Sequence, residues 1–398
     1  MTSTAEIAIP QSAEDIAPSW VQQVLQKDLP GIIITEVNVK GSINQGEGFM
    51  SDMVAFEAVG TRNGTSQRCS LVAKLTDFKR PYTVMTKWSK DFHTHIEKQE
   101  VKFYSQVVPD LLSVATPSTE RKSTAGNEDG EHHPPADPLF FPKCYFAATD
   151  PRSMVSVRVM ENLKTQGFSI KPDRQPLSRE EMMLTVGAFA QLHGLSHRLE
   201  LRLGKPLPER YGWNVTVSEA TTMMDVTRLQ YQTAVKDFAA AFPDQADLPS
   251  RLEKTDPMVV FQDDRRLKVI SHAGCWINNI MFKYAGDVPT DVRLVDWQSV
   301  LYQAPTFDLV FLFLCNATWD VFHNHRDAIL AHYHRKLQET LGPNDLESSD
   351  LQSYTLQQLT ADFKADCWRG VIIRFMHRTP ANPDVLQIIQ EIQEWGFL

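Results

Sequence analysis

Two short segments carry residue types that could hold a metal ion and shape a reactive loop. The first is Ser271-His272-Ala273-Gly274-Cys275-Trp276-Ile277-Asn278-Asn279-Ile280-Met281-Phe282, and the second is Leu294-Val295-Asp296-Trp297-Gln298. Between them, Ala285-Gly286-Asp287-Val288-Pro289 has the composition of a turn. Ile280–Tyr284 and Val292–Asp296 therefore read as the arms of a hairpin. That hairpin puts Asn279 before one arm and Asp296 at the end of the other, side by side. An amide oxygen and a carboxylate so placed are hard ligands suited to Mg²⁺. This ion needs only one or two protein ligands when phosphate oxygens supply the rest. Cys275 sits in the same loop, but a thiol is no obvious general base there, and its plain alternative is a packed residue.

The elements that must position this hairpin change character along the chain. Residues 1–18 are small and polar and read as a mobile arm. Ser19 is placed to cap a short helix through Gln26. Ile32 to Val39, Phe49 to Val59 and Cys69 to Leu75 read as strands joined by tight turns, with Lys74 on the third. From 91 to 108 the period changes. Phe92, Ile96, Phe103 and Val107 share one helical face, with Glu97, Lys98, Glu100 and Lys102 among them. Residues 117–138 are low in complexity and read as a flexible insertion. The His132-His133 pair within it reads as solvated rather than metal-bound. Strands resume over 139–146 and 153–160, and from Ser178 the chain is mostly helical. Ser178 with Glu181 three residues on reads as a capping box, and Met182, Val186, Phe189, Leu192 and His193 follow at helical spacing. The class is α+β. A β-rich lobe over 19–161 precedes a helical lobe over 162–398, with a cleft expected between them.

With these elements in place, the first segment resembles the catalytic region of ecdysteroid-kinase-like proteins, also called CHK-kinase-like. That family belongs with the aminoglycoside and choline phosphotransferases in the bilobal protein-kinase-like fold. Its catalytic segment reads His-Gly-Asp-x-Trp-x-Asn-Asn-x-Met-Phe and its metal motif Asp-Phe-Gln. The chain offers His272, Trp276, Asn278, Asn279, Met281 and Phe282 in register, then Asp296-Trp297-Gln298. Glu100-Val101-Lys102-Phe103-Tyr104 resembles the family's Glu-x-x-Phe-Tyr helix, and Val72-Ala73-Lys74 its strand lysine. Met160-Glu161-Asn162-Leu163 resembles the Leu-Glu-Asp-Leu hinge, and Asp308-Leu309 the Asp-Leu that follows the metal motif. The similarity spans roughly 20 to 390.

The resemblance implies a set of roles. Lys74 would reach the α/β-phosphates of ATP and pair with Glu100; by itself it also reads as a lysine guarding a sheet edge. Gly46, Gly48 and Ser51 would let backbone N–H groups approach phosphate. Glu161 and Leu163 would lie near adenine, through main-chain contacts. Asn279 and Asp296 would hold Mg²⁺. Asp308 would brace the loop that contains His272, or else cap its own helix. The acceptor would be a small hydroxylated molecule, such as an ecdysteroid-type alcohol.

One position breaks the pattern. The family's loop has an Asp two residues after the His, where it accepts the proton of the attacking hydroxyl. This chain has Gly274 there, and Ala273 replaces the usual Gly. Asp263 and Asp264 lie upstream in a charged turn and are poor substitutes. Three readings stay open: an impaired phosphotransferase, a nucleotide- or metabolite-binding pseudokinase, and a scaffold without ligands. Trp276, Trp297, Trp319 and Trp368 either line an apolar acceptor pocket or belong to the core.

Composition narrows the alternatives. The 398 residues carry 40 Lys plus Arg against 49 Asp plus Glu, a formal charge of −9. Non-specific nucleic-acid binders are usually basic, so that class recedes. The longest apolar run, Leu309 to Cys315, falls far short of the roughly 18 residues that span a bilayer. The N-terminus has no Lys or Arg before Lys27 and does not read as a secretory signal. Five scattered cysteines without CxxC spacing fit reduced thiols in the cytoplasm rather than disulfides or zinc. Asn63, Asn214 and Asn316 match the glycosylation pattern, which reads as chance in such a compartment.

Overall fold

In the computed structural model the residues described are 7–42, 51–77, 90–115, 140–150, 155–212, 221–245, 247–262, 265, 267–347, 351, 353–376 and 383–397. The chain divides into two compact units, Met1–Val108 with Phe141–Ser169, and Pro109–Phe140 with Ile170–Leu398. The first unit thus runs past Glu161, and the second reaches back to take in 109–140.

The first unit is built on an antiparallel sheet. Its strands are β1 (Ile33–Ser42), β2 (Asp52–Arg62), β3 (Thr65–Asp77), β4 (Cys144–Asp150) and β5 (Val155–Glu161), in the order β1-β2-β3-β5-β4. Alternation decides which face is which. Leu71, Ala73 and Leu75 of β3 and Val157 and Val159 of β5 join an apolar cluster with Trp20, Val21, Val24 and Leu25 of helix α1 (Pro18–Leu25). The intervening residues, Lys74 and Thr76 on β3 and Ser156 and Arg158 on β5, are polar yet buried, and point to the other face. There they meet helix α2 (Lys90–Lys102), which runs through a π-helical turn at Phe103–Val107 into α3 (Val108–Ala115).

The reading of 1–18 as a mobile arm does not hold for the part described. Ile7 and Ile9 pack on the core cluster, and the Trp20 indole donates to the Ala8 carbonyl at 2.7 Å. Helix α1 starts at Pro18, whose fixed φ suits a first helical position, and not from a Ser19 cap.

The chain passes from one unit to the other within a short strand, β6 (Phe168–Ile170). The second unit is mainly helical: α4 (Arg179–Leu203), α5 (Leu207–Tyr211), α6 (Thr221–Ala241) and α7 (Asp247–Leu252) come first. The Ser178–Glu181 capping box forms as expected. Glu181 also accepts the Tyr284 hydroxyl at 2.6 Å, which ties α4 to the predicted hairpin. That hairpin is β8 (Ile280–Ala285) and β9 (Val288–Leu294), separated from the pair β7 (Val269–Ser271) and β10 (Leu301–Gln303). Helices α8 (Thr306–Asn316), α9 (Arg326–Glu347), α10 (Leu356–Met376) and α11 (Pro383–Glu394) complete the unit.

Helix α8 is the axis of this unit. Its apolar run Leu309–Leu314 is buried all round, as expected for a helix that is hydrophobic on every face. No helix among the described residues is long and apolar enough to cross a membrane.

Helix α10 approaches α8 closely at Gly370. A Cβ there would stand 2.8 Å from Leu314 Cγ and 2.9 Å from the Val310 carbonyl oxygen. Ala has a helix-propensity advantage of about 1 kcal/mol over Gly. Overpacking against a backbone carbonyl costs about 1–3 kcal/mol, which is the larger effect. Gly370→Ala is therefore expected to lower the melting temperature; an equal or higher value would mean that the two helices can separate freely.

Candidate active site

In the second unit the site grows from the end of β7. His272 is fully buried, and its position is fixed at both ends. Its backbone N–H donates to Asp308 Oδ2 at 2.9 Å, and the next N–H, from Ala273, donates to Oδ1 at 2.9 Å. The ring Nε2 lies 3.0 Å from the Val295 carbonyl, which can only accept, so Nε2 carries the proton. The other nitrogen, Nδ1, is then free to accept the Gly274 N–H at 3.3 Å. Asp308 lies in the first turn of α8 but does not cap it: Pro305 holds the cap position. Its carboxylate braces the loop.

A second contact to Asp308 was not anticipated. His193 on α4 places Nε2 3.1 Å from Asp308 Oδ2 and Nδ1 2.7 Å from the Tyr333 hydroxyl. All three side chains are buried. Burial, then Tyr354 and the Asp308 charge, push the Tyr333 phenol well above its ordinary range. It stays protonated and donates to Nδ1, which leaves Nε2–H for Asp308.

The loop then turns toward the hairpin. Ala273 adopts φ 54°, the left-handed region that favours glycine. The Gly274 carbonyl accepts the Trp276 N–H at 2.8 Å and the Asn279 side-chain amide at 2.8 Å. With Nδ2 so engaged, Asn279 is oriented and its Oδ1 is its remaining acceptor. The Asn279 carbonyl accepts the Val295 N–H at 3.0 Å, and Ile280 pairs with Leu294. These bonds set the backbone of Asn279 opposite Val295, one residue before Asp296. Asp296 has φ 66°, at the sharp turn out of β9. At the far end of α8, Asn316 Nδ2 donates to the Cys275 carbonyl at 2.9 Å.

Gly274 leaves no carboxylate in the loop. Its φ is not in the left-handed region, so no backbone strain bars a side chain there. A Cβ would meet Ser299 at 3.2 Å to Cβ and 3.3 Å to Oγ, a tight contact with a small residue. Cys275 cannot take over as base: burial, then Asp308 and Cys315, push its thiol well above the usual range. Asp263 and Asp264 lie outside the described residues.

The first unit holds the phosphate-directed residues of the sequence reading. Lys74 Nζ donates to Glu100 Oε2 at 2.7 Å, both side chains being buried. Ser51 is buried, while Gly46 and Gly48 lie outside the described residues, as does the insertion over 117–138. The Glu161 carboxylate accepts from the Lys143 N–H at 2.8 Å and from Gln166 Nε2 at 2.7 Å. The Glu161 N–H donates to the Lys143 carbonyl at 3.0 Å, so both the side chain and the N–H are committed to their own neighbourhood. Leu163 is buried in the short turn that Asn162 caps.

The sequence of residues 45–343 matches the model of the ecdysteroid kinase-like family. The chain belongs to the ecdysteroid kinase-like family. No curated protein is matched by it. Among solved structures, the GDP complex of aminoglycoside 2'-phosphotransferase-IIIa is 12% identical with a TM-score of 0.37, covering 95% of this chain and 97% of that one. The GDP and kanamycin complex of APH(2")-IIia is 14% identical with a TM-score of 0.35, covering 94% and 97%. A microcompartment-associated aminopropanol kinase is 10% identical with a TM-score of 0.36, covering 93% and 94%. At this level of similarity these structures add nothing to the family assignment.

Sequence reasoning missed several residues around the family motifs. Arg158 and Glu97 stand beside Lys74 and Glu100, and the Arg158 guanidinium pairs with both carboxylates. The signal was present: Ser156 and Arg158 alternate with the β-branched Val155, Val157 and Val159. Trp297 proves to be core, fully buried with its indole on the Leu294 carbonyl at 3.0 Å. Trp276 packs edge-on against Phe311 at 4.7 Å.

The Asp308 brace is open to a direct check. An Asn at this position would turn an N–H₂ group toward one of three buried donors. Leaving a buried donor without its acceptor costs about 1–3 kcal/mol. Asp308→Asn should lower the unfolding free energy from urea titration by about 1–3 kcal/mol, and an unchanged value would remove the brace from the account.

Proposed function

We propose that the protein binds Mg·ATP and transfers its γ-phosphoryl group, slowly, to a hydroxyl of a small molecule. The observation that carries this reading is that the loop framework persists without its base. Asp308 still accepts the His272 and Ala273 N–H groups at 2.9 Å, and Asn279 still hangs on the Gly274 carbonyl. Lys74, already paired with Glu100, is the residue to meet the α/β-phosphates. Asn279 Oδ1 and Asp296 would hold Mg²⁺, which when bound offsets phosphate charge. No group of three His, Cys, Asp or Glu side chains suited to a metal occurs among the described residues. A two-ligand site of this kind relies on phosphate oxygens for the rest of the shell.

In the transfer, the acceptor oxygen bonds to the γ-phosphorus while the bond from that phosphorus to the β,γ-bridging oxygen breaks, and ADP leaves. The acceptor's proton, which a carboxylate at 274 would take, passes to water or to a phosphate oxygen. A general base contributes about 10²–10⁴-fold. Kinases turn over at about 1–100 s⁻¹. The expected rate therefore lies between about 10⁻⁴ and 1 s⁻¹. The family name points to an ecdysteroid-type alcohol as acceptor. The five free cysteines fit a reducing compartment such as the cytoplasm.

Gly274 favours a second reading, a nucleotide- or metabolite-binding pseudokinase in which the loop is retained for binding alone. ATP calorimetry with and without Mg²⁺ tests what the two readings share, because it needs no acceptor. Mg²⁺-dependent binding is expected, and Asp296→Ala should abolish its metal-dependent part. A folded protein that ignores millimolar ATP would end both readings. Gly274→Asp separates them: under the slow-kinase reading ATP turnover rises by about 10²–10⁴-fold. No rise in a folded, ATP-binding variant leaves the pseudokinase.

A further inference from the structure

The face of the first unit's sheet that meets α2 carries two cations in direct cross-strand register, Lys74 on β3 opposite Arg158 on β5. Like charges so placed destabilise a sheet pair. Here they are buried as well, with Arg158 at 0% exposure, where an uncompensated charge costs far more. Helix α2 supplies the compensation with two carboxylates three residues apart on one face, Glu97 and Glu100. Two positive and two negative charges make the cluster neutral.

The connections within it are unequal. Glu97 Oε2 receives Arg158 Nη1 in a short contact, Ser156 Oγ at 2.9 Å and Thr76 Oγ1 at 3.0 Å. Glu100 Oε2 accepts from Lys74 Nζ at 2.7 Å and stands 3.0 Å from Arg158 Nη2, an ion pair without hydrogen-bond geometry. Arg158 therefore engages both carboxylates of α2, through two nitrogens of one planar group. Lys74 is bonded to Glu100, the nearer of the two to the end of the helix.

We infer that Arg158 is a positioning residue that fixes Glu97 and Glu100 together, so that Glu100 is in place for Lys74 before any nucleotide arrives. Lys74 can then turn to a phosphate while Glu100 keeps a cationic partner. The role in nucleotide binding rests on the function proposed above; the hold on Glu100 does not. A lysine at 158 would not substitute, since an ammonium is a single point and cannot span two carboxylates as a guanidinium does.

The test uses the full chain as Lys74→Met, as Glu100→Gln, and as the paired change Arg158→Met with Glu97→Met. The paired change removes one charge of each sign, and replacing a buried ion pair with apolar groups is often neutral for stability. Three quantities are read: ATP affinity by calorimetry, amide exchange across α2, and acetylation of Lys74 by acetic anhydride, followed by mass spectrometry without nucleotide.

Lys74→Met should keep α2 protected from exchange while ATP affinity falls about tenfold or more, the loss of one charge-assisted hydrogen bond. In the paired variant, Lys74 should acetylate about tenfold faster than in the parent, approaching the Glu100→Gln rate. Arg158 loses its assigned role if the paired variant folds and Lys74 reacts at the parental rate. It loses it equally if Lys74→Met strips α2 of its protection, since Glu100 would then have depended on Lys74. If the paired variant fails to fold, the Lys74→Met exchange result decides. A parent chain that does not bind ATP would overturn the proposed function, yet the acetylation comparison would still judge Arg158.

Discussion

The carboxylate of Asp308 is where the packing of the second unit becomes the shape of its reactive loop. Helix α8 is buried on all sides, so its first turn has little freedom, and the carboxylate it carries is a fixed point. Two consecutive backbone N–H groups and the His193 ring converge on that point. Hydrogen bonds to an ionised acceptor are about twice as strong as neutral ones. They can hold Ala273 in a left-handed conformation that costs an alanine about 1–2 kcal/mol. From there the order is transmitted by short links: the Gly274 carbonyl to Asn279, the Asn279 carbonyl to Val295, and so to Asp296. Helix packing, loop shape and the proposed metal ligands form one chain of dependence.

The first unit solves a different problem. Its sheet has an apolar face, covered by α1, and a charged one, covered by α2. The charged face is expensive to bury, and its neutrality is achieved across three elements: β3, β5 and α2. Such a cluster contributes more to fixing one arrangement of these elements than to net stability, because desolvation offsets much of the attraction. A helix held by two carboxylates at i and i+3 is also held in rotation about its own axis. That matters for a residue such as Glu100, whose use depends on where it points.

Much of this was legible in the sequence, and what was not has physical reasons. The hairpin carrying Asn279 and Asp296 could be read because its turn is local, and the Ser178–Glu181 box because capping is local. The strands of the first unit followed from alternation, although β2 begins at Asp52 and not at Phe49. The Lys74–Glu100 pair came from a family resemblance, not from periodicity. Arg158, Glu97 and His193 escaped because their partners on other elements lie far along the chain, from 21 residues for Glu97 and Thr76 to 140 for His193 and Tyr333. A charged residue in an amphipathic helix reads as solvated unless the facing strand is known. The arm at 7–17 was misjudged because its few apolar residues, Ile7, Ile9 and Ile16, have no period of their own and gain order only against the sheet.

The amide of Asn316 has a consequence outside the reaction. Its nitrogen is bonded to the Cys275 carbonyl, and the residue is 4% exposed. Asn316-Ala317-Thr318 is also the tripeptide that glycosylation machinery accepts. A sugar is attached through that same side-chain nitrogen and needs open space around it. A chain that acquired a glycan there could not seat α8 against the loop. The native fold and this modification exclude one another, so the order of folding and processing would decide whether a chain sent through a secretory route ever became competent.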